Sequence, residues 1–164
     1  MTQLDTRIDL YTRAAEETAS GVIRLYSTSF GLASRLLDPL CRRHIENIYS
    51  LVRLADEVVD GVAGEAGIDR AEAGHMLDRL VSDTERAMET GYSTNLIVHA
   101  FAHSARSVGI TPELTRPFFA SMRADLSETS HDEESFSLYV YGSAEVVGLM
   151  CLKAFVKDLD YTPA

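Results

Sequence analysis

The chain has 164 residues, 46% of them hydrophobic and 24% charged, with a formal net charge of −10. That length is enough for one domain with its own core. The acidic balance excludes a general nucleic-acid binder, because phosphate backbones need a basic surface. Cys41 and Cys151 make neither a disulfide framework nor a metal-ligand spacing, which fits buried thiols in a reducing compartment. The opening stretch "MTQLDTRIDLYTRAAEE" is polar and acidic rather than signal-like, and no apolar run approaches the roughly 18 residues of a spanning helix. These features read as a soluble cytoplasmic protein, with peripheral membrane contact left open.

In chain order, "LDTRIDLYTRAAEETASGVIRLYS" is one long helical pattern, and "STSF" breaks it with hydroxyl residues that suit a helix end. "GLASRLL" is a short helix. Asp38-Pro39 starts the next, since proline fits a first helical turn, and that helix runs to about Asp60 before "GVAGEAG", read as a flexible turn. Further helices are expected over 69–90 and 94–108. Thr111 as cap, Pro112 at the first position and Glu113 in the first turn open another, to about 128. A polar "SETSHDEES" turn and a last helix over 133–157 follow. Strand alternation is nowhere sustained, so the class is all-α.

The segment "VRLADEVVD" is the informative one. At about 100° per residue from Tyr49, Ile45, Arg53, Asp56 and Asp60 all fall within roughly 40° of it, and Glu57 lies at the margin. Ile48, Val52, Ala55 and Val59 widen the apolar edge, so this stripe is expected to face the core. Two inward carboxylates one turn apart repel each other and lose hydration. Arg53 offsets one charge; a hard cation such as Mg²⁺ offsets both and takes its remaining ligands from water and substrate phosphates. The bland alternative is a solvated acidic helix end beside a glycine loop. On the last helix, "YGSAEVVG" gathers Gly142, Ser143, Ala144 and Gly148, at about 1 kcal/mol per helical glycine. Such small residues fit close helix packing or room for a ligand equally well. Phe136, Tyr139, Val140, Ser143, Val147 and Met150 are its expected inward stripe.

"STSFGLASRLL", Arg42, "IYSLVRLADEVVD" and "YVYGSAEVVGLM", in this order from about Ser20 to Lys157, resemble the squalene/phytoene synthase family of head-to-head prenyl transferases. The family's first aspartate-rich motif corresponds to Asp56 and Asp60, with Arg53 and Tyr49 upstream and Glu57 where a further aspartate is usual. Its S-x-S-F segment corresponds to Ser27, Ser29 and Phe30, and its later helix motif to Tyr139, Ala144, Val147 and Gly148, with Glu145 where glycine is common. The resemblance implies an all-α helical bundle of the class I isoprenoid synthase type. It implies Mg²⁺ on Asp56 and Asp60, and diphosphate held by Arg53, Ser27 and Ser29. Tyr49 and Tyr139 would position substrate, with Phe30, Ala144, Val147 and Gly148 lining its pocket. The implied reaction joins two polyprenyl diphosphates, geranylgeranyl rather than farnesyl diphosphate favoured, through a cyclopropyl diphosphate.

The family's second aspartate-rich motif has no counterpart: Asp158 and Asp160, two apart, fall on different helix faces. The resemblance thus covers the front half of such an enzyme, an apparently truncated domain expected to turn over weakly or not at all alone. Apolar stripes on helices 39–60 and 133–157 are then expected to find cover in a homo-oligomer. The rival reading is a non-catalytic helical module that binds prenyl diphosphate or a partner subunit. His99 and His103 have metal-pair spacing but no third ligand, and read as a packed or surface pair. Met122 reads as core and Asp125 as structural.

Overall fold

Thr6 opens the first helix with a capping box: Asp9 N–H donates to its hydroxyl, while Thr6 N–H donates to the Asp9 carboxylate. The computed structural model describes residues 5–127 and 130–159, so Leu4, at the start of the expected helical pattern, and Asp160 lie outside the described residues. The described residues form α1 (Arg7–Tyr26), α2 (Thr28–Ser34), α3 (Pro39–Val59), α4 (Val62–Glu65), α5 (Arg70–Thr90), α6 (Leu96–Val108), α7 (Pro112–Ser127), α8 (Glu133–Val140), a π-helical turn over Tyr141–Glu145, and α9 (Val146–Leu159), with no strand among them. The all-α expectation holds.

The stops are where the sequence put them, with three refinements. The break at "STSF" is a single residue: Ser27, extended at φ −140°, ends α1 and caps α2 by accepting from Phe30 N–H at 3.2 Å. "GVAGEAG" holds a helical turn, α4, between Gly61 (φ 96°) and Gly67 (φ 82°). And α8, the π turn and α9 run on as one rod over Glu133–Lys157, whose most apolar 18-residue window has mean hydropathy 1.3. By length and composition that rod is long enough to cross a membrane, which the sequence pattern had not suggested. Asp38 caps α3 as expected, accepting from Leu40 N–H at 2.9 Å.

Helix α3 is central and packs against α1, α5, α6, α7 and α9. Its buried face carries Ile48, Leu51 and Ala55, which meet Leu77, Phe101, Phe118, Met122, Val146 and Met150. Each such large side chain contributes about 1.5–3 kcal/mol by leaving water. Met122 is core, as read. The core face of α3 is therefore centred on the apolar edge of the expected stripe, roughly 100° from Tyr49: Ile45, Ile48 and Ala55 are buried as expected, whereas Tyr49, Arg53 and Asp56 are half-buried and Asp60 is exposed. Hydration explains this offset, because aliphatic neighbours can go fully inside whereas two carboxylates cannot without partners.

The last helix is corrected in the same way. Its buried line is Gly142, Val146, Met150 and Ala154, while Phe136 is exposed and Tyr139, Val140, Ser143 and Val147 are half-buried. The π turn inserts a residue and shifts the register of everything after it. Gly142 lies within that turn, buried. A Cβ on Gly142 would sit 2.2 Å from the Pro117 carbonyl oxygen and 2.0 Å from Ser121 Oγ, so this residue is the close contact with α7. Ser121 Oγ also donates to the Tyr139 carbonyl at 3.1 Å. At Gly148 no atom lies within 4 Å of such a Cβ. Of the two readings of the small residues, Gly142 follows close packing and Gly148 follows open space.

Candidate active site

The half-buried flank of α3 displays two adjoining groups of side chains. In the first, Arg53 forms an ion pair with Glu57, one turn on, and its guanidinium lies over the Tyr26 ring at 4.3 Å from the centroid. Beside it Tyr49 stacks on Phe30, ring centroids 5.7 Å apart. The end of α1 and the start of α2 are thereby held against α3, bringing together Arg53, Tyr49 and Phe30 as expected. Tyr26 was not singled out from sequence; a lone tyrosine before a helix break carries no signal of its own. Arg53 Nε is buried and has no hydrogen-bond partner. A buried guanidinium N–H left unpaired is costly, and an oxyanion is its natural complement.

The second group is acidic. Asp56 on α3 lies within electrostatic reach of Asp60 and of Asp125 on α7, and all three act on Tyr139 of α8, whose hydroxyl donates to Asp125 Oδ2 at 3.3 Å. Burial raises the Asp56 carboxyl above the usual carboxylate range; Arg53 opposes this, and Asp125, Asp60 and Glu57 add to it. Burial likewise raises the Tyr139 phenol, reinforced by Asp125, Asp56 and Asp60. Asp125, read from sequence as structural, thus belongs to the cluster. Its signal was unreadable because 65 residues of chain separate it from Asp60 and only the packing of α7 on α3 joins them.

The donors here are carboxylate and phenol oxygens, which suit a hard cation. Among the described residues no three or more acids or histidines close into a cage of their own. The set therefore fits Mg²⁺ of the open kind, bound by one or two carboxylates with the rest of its shell from water and substrate phosphate.

The other expected residues are less gathered. Ser27 is half-buried and occupied as a cap, and Ser29 is exposed. Ala144 and Gly148 are exposed on the π turn and α9, with Val147 half-buried beside them. Asp158 lies within α9, while its partner Asp160 is outside the described residues. His99 is a packed residue: Ser93 N–H donates to its Nδ1 at 3.3 Å, which leaves Nε2 to donate to Thr12 Oγ1 at 2.9 Å, and His103 is exposed. Cys41 is buried, and Cys151 is half-buried with its thiol raised to about 11, chiefly by burial.

The model of the squalene/phytoene synthase family matches residues 23–161. The chain belongs to that family. A curated relative, a phytoene synthase of Pseudescherichia vulneris, is 33% identical over 138 residues. The match covers 80% of this chain and 44% of the relative, so the chain spans less than half the relative's length. The family segment takes in both groups on α3 as well as Asp125 and Tyr139.

Proposed function

We propose that these helices form the diphosphate-binding and ionising face of a phytoene synthase-type prenyl transferase. The observation that carries this reading is the meeting of opposites on one flank of α3. Asp56 is surrounded by Asp60, Glu57 and Asp125 with Arg53 alone of opposite sign among the groups acting on it, and Arg53 leaves its own buried Nε without a hydrogen-bond partner. A magnesium diphosphate satisfies both at once.

Asp56 and Asp60 would hold Mg²⁺, with Asp125 adding negative charge behind them. When bound, Mg²⁺ supplies Lewis-acid stabilisation of a departing diphosphate. Arg53 Nε–H donates to a diphosphate oxygen, and Ser27 and Ser29 offer hydroxyls from the start of α2. Tyr49 and Phe30 present ring faces to an allylic cation, an interaction of the cation–π type. Tyr139, anchored on Asp125, positions the substrate, while Ala144, Val147 and Gly148 leave room for its chain. The double bond of the second substrate attacks that cation, and loss of a proton closes the cyclopropyl diphosphate. Geranylgeranyl diphosphate is the favoured substrate, and the cyclopropyl diphosphate would then lose its own diphosphate, rearrange and give up a second proton to yield phytoene.

The side of the last helix opposite Met150 exposes Leu152 and Val156. Covering that face with a second copy is the simplest arrangement, and sedimentation at micromolar concentration should then show a dimer. The functional test is incubation with geranylgeranyl diphosphate, with and without Mg²⁺, followed by extraction. A Mg²⁺-dependent C40 hydrocarbon, lost in D56N and D60N, is expected. Folded protein that gives no product, yet is stabilised by Mg²⁺ and the diphosphate together, would replace this reading with the non-catalytic module.

A further inference from the structure

The two cysteines of the sequence, on different helices, share one corner of the fold. Helix α9 packs on α3. Apart from the main core, Cys41, Ile45 and Ala154 form a small buried cluster of their own, and Cys151 packs against it with Leu37 and Val108. At about 100° per residue Cys41 lies roughly 40° from Ile45 on α3, and Cys151 roughly 60° from Ala154 on α9. Each thiol is thus carried on the flank of its helix that meets the other helix. The two also act on one another: Cys41 adds to the burial that raises the Cys151 thiol. Both are present as thiols. Cys41 is 2% exposed, whereas Cys151 is half-buried, so one sulfur is open to a reagent and the other is held behind it.

The ordinary use of a buried cysteine is to fill a seam as a small apolar side chain. That use explains the burial of Cys41. It does not explain why both cysteines of the chain stand in one cluster of three buried and three half-buried side chains. A disulfide needs Cα atoms within about 7 Å. Packed helices, with axes about 8–10 Å apart, offer that separation at facing positions, and Ala154 keeps this seam narrow.

We propose that Cys41 and Cys151 are a redox pair, which a small-molecule disulfide such as oxidised glutathione joins into an intramolecular disulfide tying the first turn of α3 to α9. Cys151 gives its proton to water, and its thiolate attacks one glutathione sulfur. The glutathione disulfide breaks, and one glutathione leaves as a thiolate that takes up a proton. Cys41 then gives up its own proton, attacks the Cys151 sulfur and displaces the second glutathione in the same way. Two protein thiols lose two electrons, and one glutathione disulfide becomes two thiols. Only the thiolate attacks, and burial keeps Cys151 protonated at neutral pH. Closure is therefore slow there and quickens about tenfold per pH unit toward about 11. The bond closes a loop of about 110 residues and fixes α9, which carries Val147 and Gly148, against the helix that carries Asp56. Neither cysteine is assigned to the proposed reaction, so the pairing stands or falls without it.

The test is incubation of the purified, folded chain with oxidised glutathione at about pH 8.5, followed by intact-mass measurement and peptide mapping without reductant. The parent should lose two hydrogens and yield a peptide in which Cys41 is linked to Cys151. Its thermal midpoint should rise by about 5 °C or more and return on treatment with dithiothreitol. C41S should stop at a glutathione adduct on Cys151, and C151S should stay unmodified while folded. A parent that also stops at the glutathione adduct overturns the proposal, because the two sulfurs then fail to meet. Disulfide-linked dimers without the internal bond overturn it too. So does a parent that stays reduced under the oxidant yet reacts with maleimide at both cysteines once unfolded.

Discussion

Helix α3 takes polar side chains out of water at two places, and the two are resolved differently. Toward α6, His44 Nδ1 and Asn47 Nδ2 both meet Ser104 Oγ at 2.8 Å, and Ser50 Oγ donates to the Asn47 carbonyl at 2.9 Å. Asn47 donates to that hydroxyl, and a neutral His44 shares a second hydrogen bond with it. Burial holds His44 below its ordinary range, which keeps it in that form. Asn47 Oδ1 has no partner, but His44 Nδ1, Asn47 Nδ2, Ser50 Oγ and Ser104 Oγ are answered by neutral groups. Two turns on, toward α7 and α8, the same helix gathers Asp56 and Asp60 against Asp125, with only Arg53 of opposite sign among the groups that act on Asp56. A satisfied neutral cluster fixes how two helices pack. A cluster of like charges destabilises the fold on its own and makes sense as half of a binding equilibrium.

The largest effect that can break this comparison comes from the contact that brings Asp125 and Tyr139 together. Gly142→Val places carbon on the Pro117 carbonyl and Ser121 Oγ and should cost about 3 kcal/mol or more, read as a fall in the thermal midpoint. Gly148→Ala, with no neighbour to meet, should instead gain up to about 1 kcal/mol from helix propensity. Next, Ser104→Ala strips the shared partner from His44 and Asn47 and should cost about 2 kcal/mol in urea unfolding. Asp56→Asn removes one of the repelling acids and should leave stability within about 1 kcal/mol of the parent, on the stabilising side. It should also abolish the rise in melting temperature that Mg²⁺ gives the parent. If Asp56→Asn destabilised like Ser104→Ala, the acidic group would be architecture after all.

How much of this could be read in advance follows from what each signal depends on. Helix starts were legible where their signals are local, as at Asp38-Pro39, where the Asp38 side chain accepts from Leu40 N–H and Pro39 opens α3. The acidic motif and Arg53 were legible because their spacing lies on one helix. The faces were not. Periodicity placed the α3 stripe about a quarter-turn from the true core because it gave the carboxylates and their aliphatic neighbours equal weight. On the last helix it could not foresee the π turn, nor the close approach of α7 that only a residue without a Cβ at 142 allows. Asp125 and Tyr26 depend on contacts between helices far apart in sequence.

The smallest effect separates the two clusters by the sign of their response to acid. His44 and His99 are both pushed below the ordinary 6.5, chiefly by burial. The unfolded chain therefore binds protons at a pH where the folded one does not, and stability falls as pH drops below about 6.5. Asp56 is displaced the other way, above 3.8, and Glu46 above 4.5. For these the folded chain holds protons more tightly, so acidification relieves strain that is present at neutral pH. The parent's stability should begin to decline near pH 6.5 and the decline should moderate at lower pH as the acids protonate. Substituting His99 with Gln should reduce the first part of that decline. Asp56→Asn should leave the first part unchanged and steepen the second, because the compensating protonation is gone. Unfolding midpoints taken between about pH 8 and pH 4 read both limbs in one series. The parent's response to Mg²⁺ should fade over the second limb alone, since only there does a proton compete with the cation for Asp56.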